Sequence, residues 1–186
     1  MFIQTEATPN PATLKFLPGR TVMGDQTRDY RDSEAATGSP LAARLFGIAH
    51  VSGVFFGSNF ITVTKEDGEW QLLKPAILGT IMEYFMSGAP LVSDAGQDDT
   101  ASNEVYNEAD KEIVSTIKEL LDTRVRPAVA QDGGDITFQA YEEGVVFLHM
   151  QGACAGCPSS TATLKHGIEN LLKHFIPEIK EVRPVA

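Results

Sequence analysis

Apolar residues in this chain follow two rhythms, one of paired strands and one of helical stripes. Residues 2–6 and 13–17 flank Thr8-Pro9-Asn10-Pro11, and Pro18-Gly19 closes the second run. Residues 48–56 and 60–65 flank Gly57-Ser58-Asn59. Each pair predicts two short strands around a turn, with Phe55, Phe56 and Phe60 as core side chains. Between the pairs, residues 24–39 are polar and read as a surface loop. Residues 40–46 then suggest a short helix, capped by Ser39 with Pro40 in its first turn. Trp70, Leu73, Ile77, Ile81, Tyr84 and Phe85 recur at helical spacing up to Gly88, with Pro75 standing where it would split the helix. Residues 1–88 are thus expected to form an N-terminal ββαββα domain.

The rhythm then stops. Asp94, Asp98, Asp99, Glu104, Glu108 and Asp110 fall in a stretch with no Lys or Arg and few apolar residues, the composition of a flexible acidic linker; its expected extent is 89–107. A second domain, 108–186, follows. Ile113, Ile117, Leu120 and Leu121 line a helix that Asn107 would cap and Pro127 would end, with Arg124 and Arg126 favouring its negative end. Residues 131–135 (Gln-Asp-Gly-Gly-Asp) read as a turn, 136–141 and 145–150 as strands, and Leu164, Ile168, Leu171, Leu172 and Phe175 as the stripe of a long helix. Pro177 breaks that helix before a last short strand at 179–185. The order αββαβ, with the first domain, gives an α+β fold of two small domains.

Composition narrows the function. The formal charge is −10 without a basic cluster, which argues against a phosphate-gripping nucleic-acid binder. No run of about 18 apolar residues offers a membrane span. The first residues lack signal or transit character, so the expected location is a reducing cytoplasm. No serine-nucleophile elbow or phosphate loop suggests an enzyme.

Chemistry concentrates at Cys154 and Cys157, the two cysteines of the chain, within Gly-Ala-Cys-Ala-Gly-Cys-Pro-Ser-Ser at 152–160. They lie between a predicted strand and a predicted helix beginning at Pro158. A helix N-terminus favours thiolate over thiol, so both sulfurs are expected to be accessible, low-pKa ligands or nucleophiles. Gly152 and Gly156 would let the backbone turn tightly there. Thiolates suit zinc or an iron–sulfur cluster, but a closed site commonly takes four ligands. Two chains related by a two-fold axis would supply four. A redox dithiol and a site completed within one chain by histidine remain alternatives. For His50, His149, His166 and His174 the spacing favours structural or surface roles.

Residues 152–160, followed by Thr163-Leu164-Lys165 and Gly167-Ile168-Glu169, resemble the C-terminal domain of the NifU-like (Nfu) iron–sulfur carrier proteins. Arg126-Pro127 and Asp132-Gly133-Gly134-Asp135-Ile136 match as well. At the front, residues 2–6 with Thr8-Pro9-Asn10-Pro11, Leu14-Lys15-Phe16 and Pro18-Gly19 resemble the family's N-terminal domain, with Ala7 where a proline is common. The resemblance implies a bacterial cytoplasmic carrier without catalysis. It implies a [4Fe-4S] cluster shared by a homodimer through Cys154 and Cys157 of each copy. Upstream assembly proteins would supply the cluster and apo iron–sulfur proteins would receive it, with a dithiol redox protein or an assembly scaffold as alternatives.

Overall fold

A computed structural model describes residues 1–92, 104–155 and 158–185 of the chain. The polypeptide divides into two compact units, Met1–Asp98 and Asp99–Ala186.

The first unit builds one five-stranded sheet from β1 (Gln4–Ala7), β2 (Thr13–Leu17), β3 (Arg28–Tyr30), β4 (Val51–Phe56) and β5 (Ile61–Lys65), in the order β1-β2-β5-β4-β3 and antiparallel throughout. Alternation along the strands sends Leu14, Phe16, Val54, Phe56, Ile61 and Val63 into one core. Two helices close that core: α1 (Pro40–Phe46) through Leu41 and Leu45, and α2 (Trp70–Ser87) through Leu73, Ile77, Ile81 and Tyr84. Phe55 and Phe60 are buried as expected, their rings tilted against each other 5.9 Å apart. The Trp70 indole N–H donates to the Pro11 carbonyl at 3.0 Å, tying the start of α2 to the β1–β2 turn.

The predicted elements are all present, and β3 is an addition in the stretch read as a polar loop. Only three residues long and polar in sequence, it is a strand because it pairs with β4, Tyr30 opposite Val54. Pro75 does not split α2; it lies on the exposed side near the helix start, so the carbonyl it leaves without a partner faces water. Gly88 ends α2 in the left-handed conformation, φ 69°, as the sequence predicts.

Ser39 caps α1: its hydroxyl accepts from the Ala42 N–H at 3.3 Å and donates to the Leu91 carbonyl. The side chain is fully buried. Ser39→Ala removes the cap and leaves two backbone groups short of partners, so it is expected to cost about 1–2 kcal/mol. A lower urea midpoint at unchanged slope is the check.

The second unit packs helices on a three-stranded sheet of order β6-β7-β8. The antiparallel pair β6 (Gly134–Glu142) and β7 (Val145–Gly152) is extended by β8 (Glu181–Val185), parallel to β7 and reached through α5 (Pro158–Phe175). A parallel neighbour needs such a crossover. The opening helix runs as α3 (Lys111–Leu120), a π-helical turn (Leu121–Val125) and α4 (Arg126–Gln131). The expected stop at Pro127 is therefore corrected. The wide π turn absorbs the proline's missing N–H, and the chain stays helical up to Gln131. Asn107 makes no side-chain cap; a short 3₁₀ turn, Glu108–Asp110, separates it from α3. Ile117, Leu121, Ile136, Val146, Leu148, Leu172 and Val182 form the centre of this core.

The stretch expected to be linker is tied down where it is described. Tyr84 donates its hydroxyl to Pro90, and Leu91 bonds Ser39. At the other end Val105 pairs with the bulge of β6, its N–H donating to Gln139 at 3.1 Å and its carbonyl accepting from Tyr141 at 2.9 Å. Glu104 pairs with Lys118. The remainder of the linker expectation, residues 93–103, lies outside the described residues.

Glu169 of α5 fastens β8. Its carboxylate accepts from Lys173 at 2.7 Å and from the Val182 N–H at 3.1 Å, and these bonds hold its pKa below the usual carboxyl range. A lowered folded-state pKa adds stability that is complete above the ordinary glutamate value of about 4.3 and is lost as pH falls through the folded one. The parent chain is therefore expected to lose stability below about pH 4 more steeply than Glu169→Gln, measured as urea midpoint against pH.

Candidate metal centre

The strand β7 ends at Gly152, whose φ of 63° turns the chain away from the sheet. Cys154 follows two residues later, after Ala153, and α5 begins at Pro158. Cys157, the other expected ligand, lies with Gly156 outside the described residues.

Cys154 is fixed on two sides. The Ala153 N–H donates to the Gly133 carbonyl at 3.1 Å, and the Thr161 hydroxyl in the first turns of α5 donates to the Cys154 carbonyl at 3.2 Å. Its sulfur rests on Gly134, which opens β6 opposite Gly152. A Cβ at Gly134 would lie 2.4 Å from that sulfur and 2.9 Å from the Gln151 carbonyl oxygen. Only glycine permits that approach.

The expectation of an accessible, low-pKa sulfur does not hold for Cys154. Its side chain belongs to the second core and is 5% exposed. Burial pushes the thiol up to about 12, and the carboxylates of Asp132 and Asp135 add to the rise. The helix end does not decide the matter, because the sulfur is buried in the second core against Gly134.

The turn at 132–135 does more than join helix to strand. Asp135, 3% exposed, receives both prongs of Arg126: Nε to Oδ1 at 2.8 Å and Nη2 to Oδ2 at 2.9 Å. Its Oδ1 also accepts from the Ile136 N–H at 2.8 Å. Arg126, expected to answer the negative end of a helix, is bound instead to this carboxylate and to Asp122 at 3.1 Å. The available signal was the spacing: Arg126 and two glycines precede a strand whose partner ends at Gly152.

His149 Nδ1 bonds the Gln151 amide at 3.4 Å, His174 stands edge-on to Phe175, His166 is exposed, and His50 packs near Gly68. Among the described residues, no group of three or more His, Cys, Asp and Glu could hold a metal ion. None of the described helices is long and apolar enough to cross a membrane.

Two family models match the chain: "Scaffold protein Nfu/NifU N terminal" over residues 3–88 and "NifU-like domain" over residues 117–183. A Homo sapiens protein named "NFU1 iron-sulfur cluster scaffold homolog, mitochondrial" is 53% identical over 187 aligned positions, covering 100% of this chain and 72% of that protein. The protein of the same name from Drosophila sechellia is 52% identical over 100% of this chain and 65% of its own length. This chain thus spans roughly two thirds of such relatives. A solution NMR structure of a NifU-like protein from Saccharomyces cerevisiae shares 25% identity at a TM-score of 0.46, covering 50% of this chain and 85% of that one, a likeness too loose to carry weight. The mitochondrial relatives overturn the expected bacterial cytoplasmic location. With both domain models in the expected order and about half of this chain's positions identical to a relative across the whole of this chain, it belongs to the Nfu family of iron–sulfur cluster scaffold proteins.

Proposed function

We propose that two copies of this chain hold one [4Fe-4S] cluster between them, through Cys154 and Cys157 of each, and pass it to apo-proteins. The observation that carries this reading is the shortage of ligands in one copy. The chain has two cysteines, and its described residues offer no other grouping that could hold a metal. Iron–sulfur clusters take their ligands chiefly from cysteine thiolates, and a two-fold pairing doubles the count.

Residues 108–186 form the cluster-binding part, residues 1–88 recognise donors and acceptors, and 89–107 connects them. The mitochondrion is the location that the relatives' names favour. Loading requires two changes at Cys154: its sulfur must move outward from the core, and it must give up its proton. Both are reversed on release, so handing the cluster on returns an apolar side chain to cover, which favours delivery over retention. The chain catalyses no reaction of its own in this reading.

Anaerobic reconstitution with iron and sulfide tests it. The expected result is about four irons and four sulfides per two chains, with activation of an apo iron–sulfur protein on mixing. A full complement of iron on a single chain, one zinc per pair, or no activation of the acceptor overturns it. The relatives' names carry the word scaffold, which favours a second reading, assembly of the cluster in place. That reading requires faster loading from a sulfur-donating enzyme than from free sulfide.

A further inference from the structure

We propose that Arg126 is a positioning residue for Cys154, holding the sulfur inward in the cluster-free chain by gripping the 132–135 turn through Asp135. The proposal borrows from the carrier reading only the importance of Cys154; the arrangement itself belongs to the chain without cargo.

A chain of contacts makes the linkage. Arg126 binds both oxygens of Asp135, at 2.8 and 2.9 Å, while its third nitrogen is braced by Asp122 at 3.1 Å. A planar fork on a carboxylate fixes rotation as well as distance, and Asp135 is locked further by the Ile136 N–H at 2.8 Å. The neighbouring Gly134 is the surface on which the sulfur lies, and Gly133 holds the Ala153 N–H at 3.1 Å. Arg126 is itself placed by the π turn, which sets it at the head of α4, facing β6. The grip of Arg126 thus runs through one carboxylate to the floor beneath Cys154. Lysine at this position would keep the charge and lose the fork.

The test uses the 186-residue chain carrying Cys157→Ser, reduced and without cluster, so that Cys154 is its single thiol. The probe is iodoacetamide, and the reading is the rate of Cys154 alkylation relative to the same chain unfolded in concentrated urea. With Arg126 present, Cys154 is expected to react about 100-fold more slowly than in the unfolded chain. Arg126→Gln and Arg126→Lys are both expected to raise the rate about tenfold, flat between zero and about 1 M urea, because release of the turn is local. A rate that climbs steeply with urea from zero marks global unfolding and overturns the proposal, as does labelling of either variant at the fully unfolded rate. Full protection in Arg126→Lys overturns it too, since charge alone would then suffice. So does a parent chain that labels as fast as when unfolded. Iron is not measured, so failure of the carrier reading leaves this result standing, and the reverse holds as well.

Discussion

Cys154→Ala and Cys157→Ala are each expected to reduce iron retained after anaerobic reconstitution and gel filtration from about four per two chains to essentially none. Each substitution removes two of four sulfurs from a paired site, because it is present in both copies. Alanine is the informative replacement at position 154. Cys154 is buried in the same core as Ile136, Met150 and Ile168, and serine would bury a hydroxyl there, at a cost of about 1–3 kcal/mol unless a partner is found. Alanine leaves only a small void, costing about 1 kcal/mol. Loss of iron at nearly parental stability would assign the ligand. A chain with alanine at 154 that retains its full complement would remove Cys154 from the site.

Gly134→Ala is expected to destabilise the second unit by about 2–3 kcal/mol, the upper range for forcing bulk into a filled space. The new methyl would meet the Cys154 sulfur at 2.4 Å, the Gln151 carbonyl oxygen at 2.9 Å and the Cys154 nitrogen at 3.0 Å. Two of those three atoms are backbone, so a rotamer change cannot clear them. Gly79 provides the contrast. It lies within α2, and a Cβ there meets nothing within 4 Å. Gly79→Ala should therefore gain about 0.5–1 kcal/mol from helix propensity. Urea unfolding of the two variants beside the parent gives both numbers. Equal and small effects would mean that the close approach at Gly134 does not constrain the turn.

Much of the architecture was legible because apolar period carries directly into secondary structure. The paired strands, the capped α1, the stripe of α2 up to Gly88 and the β7–α5 boundary at the cysteines all follow from residues local in sequence. What was not legible depended on partners distant in sequence. Strand β3 has no apolar alternation and exists by pairing with β4. The helix passes Pro127 because a π turn widens ahead of it. At the candidate site, the two cysteines and their turn could be read, but not the state of Cys154. A helix N-terminus argues for an exposed thiolate, whereas the sulfur's surroundings come from Gly134, Asp132 and Asp135 on another strand and its turn. Arg126 and Asp135 looked like a helix-end charge and a turn residue until the fold joined them.

The indole bond from Trp70 to Pro11 has a practical consequence. Trp70 is the chain's single tryptophan, and it belongs to the first unit alone, held at the β1–β2 turn. Emission excited near the red edge of protein absorbance therefore comes from a ring rooted in that unit and follows its melting. Paired with an optical signal from backbone ellipticity, one unmodified sample can tell whether its two halves come apart together or in turn.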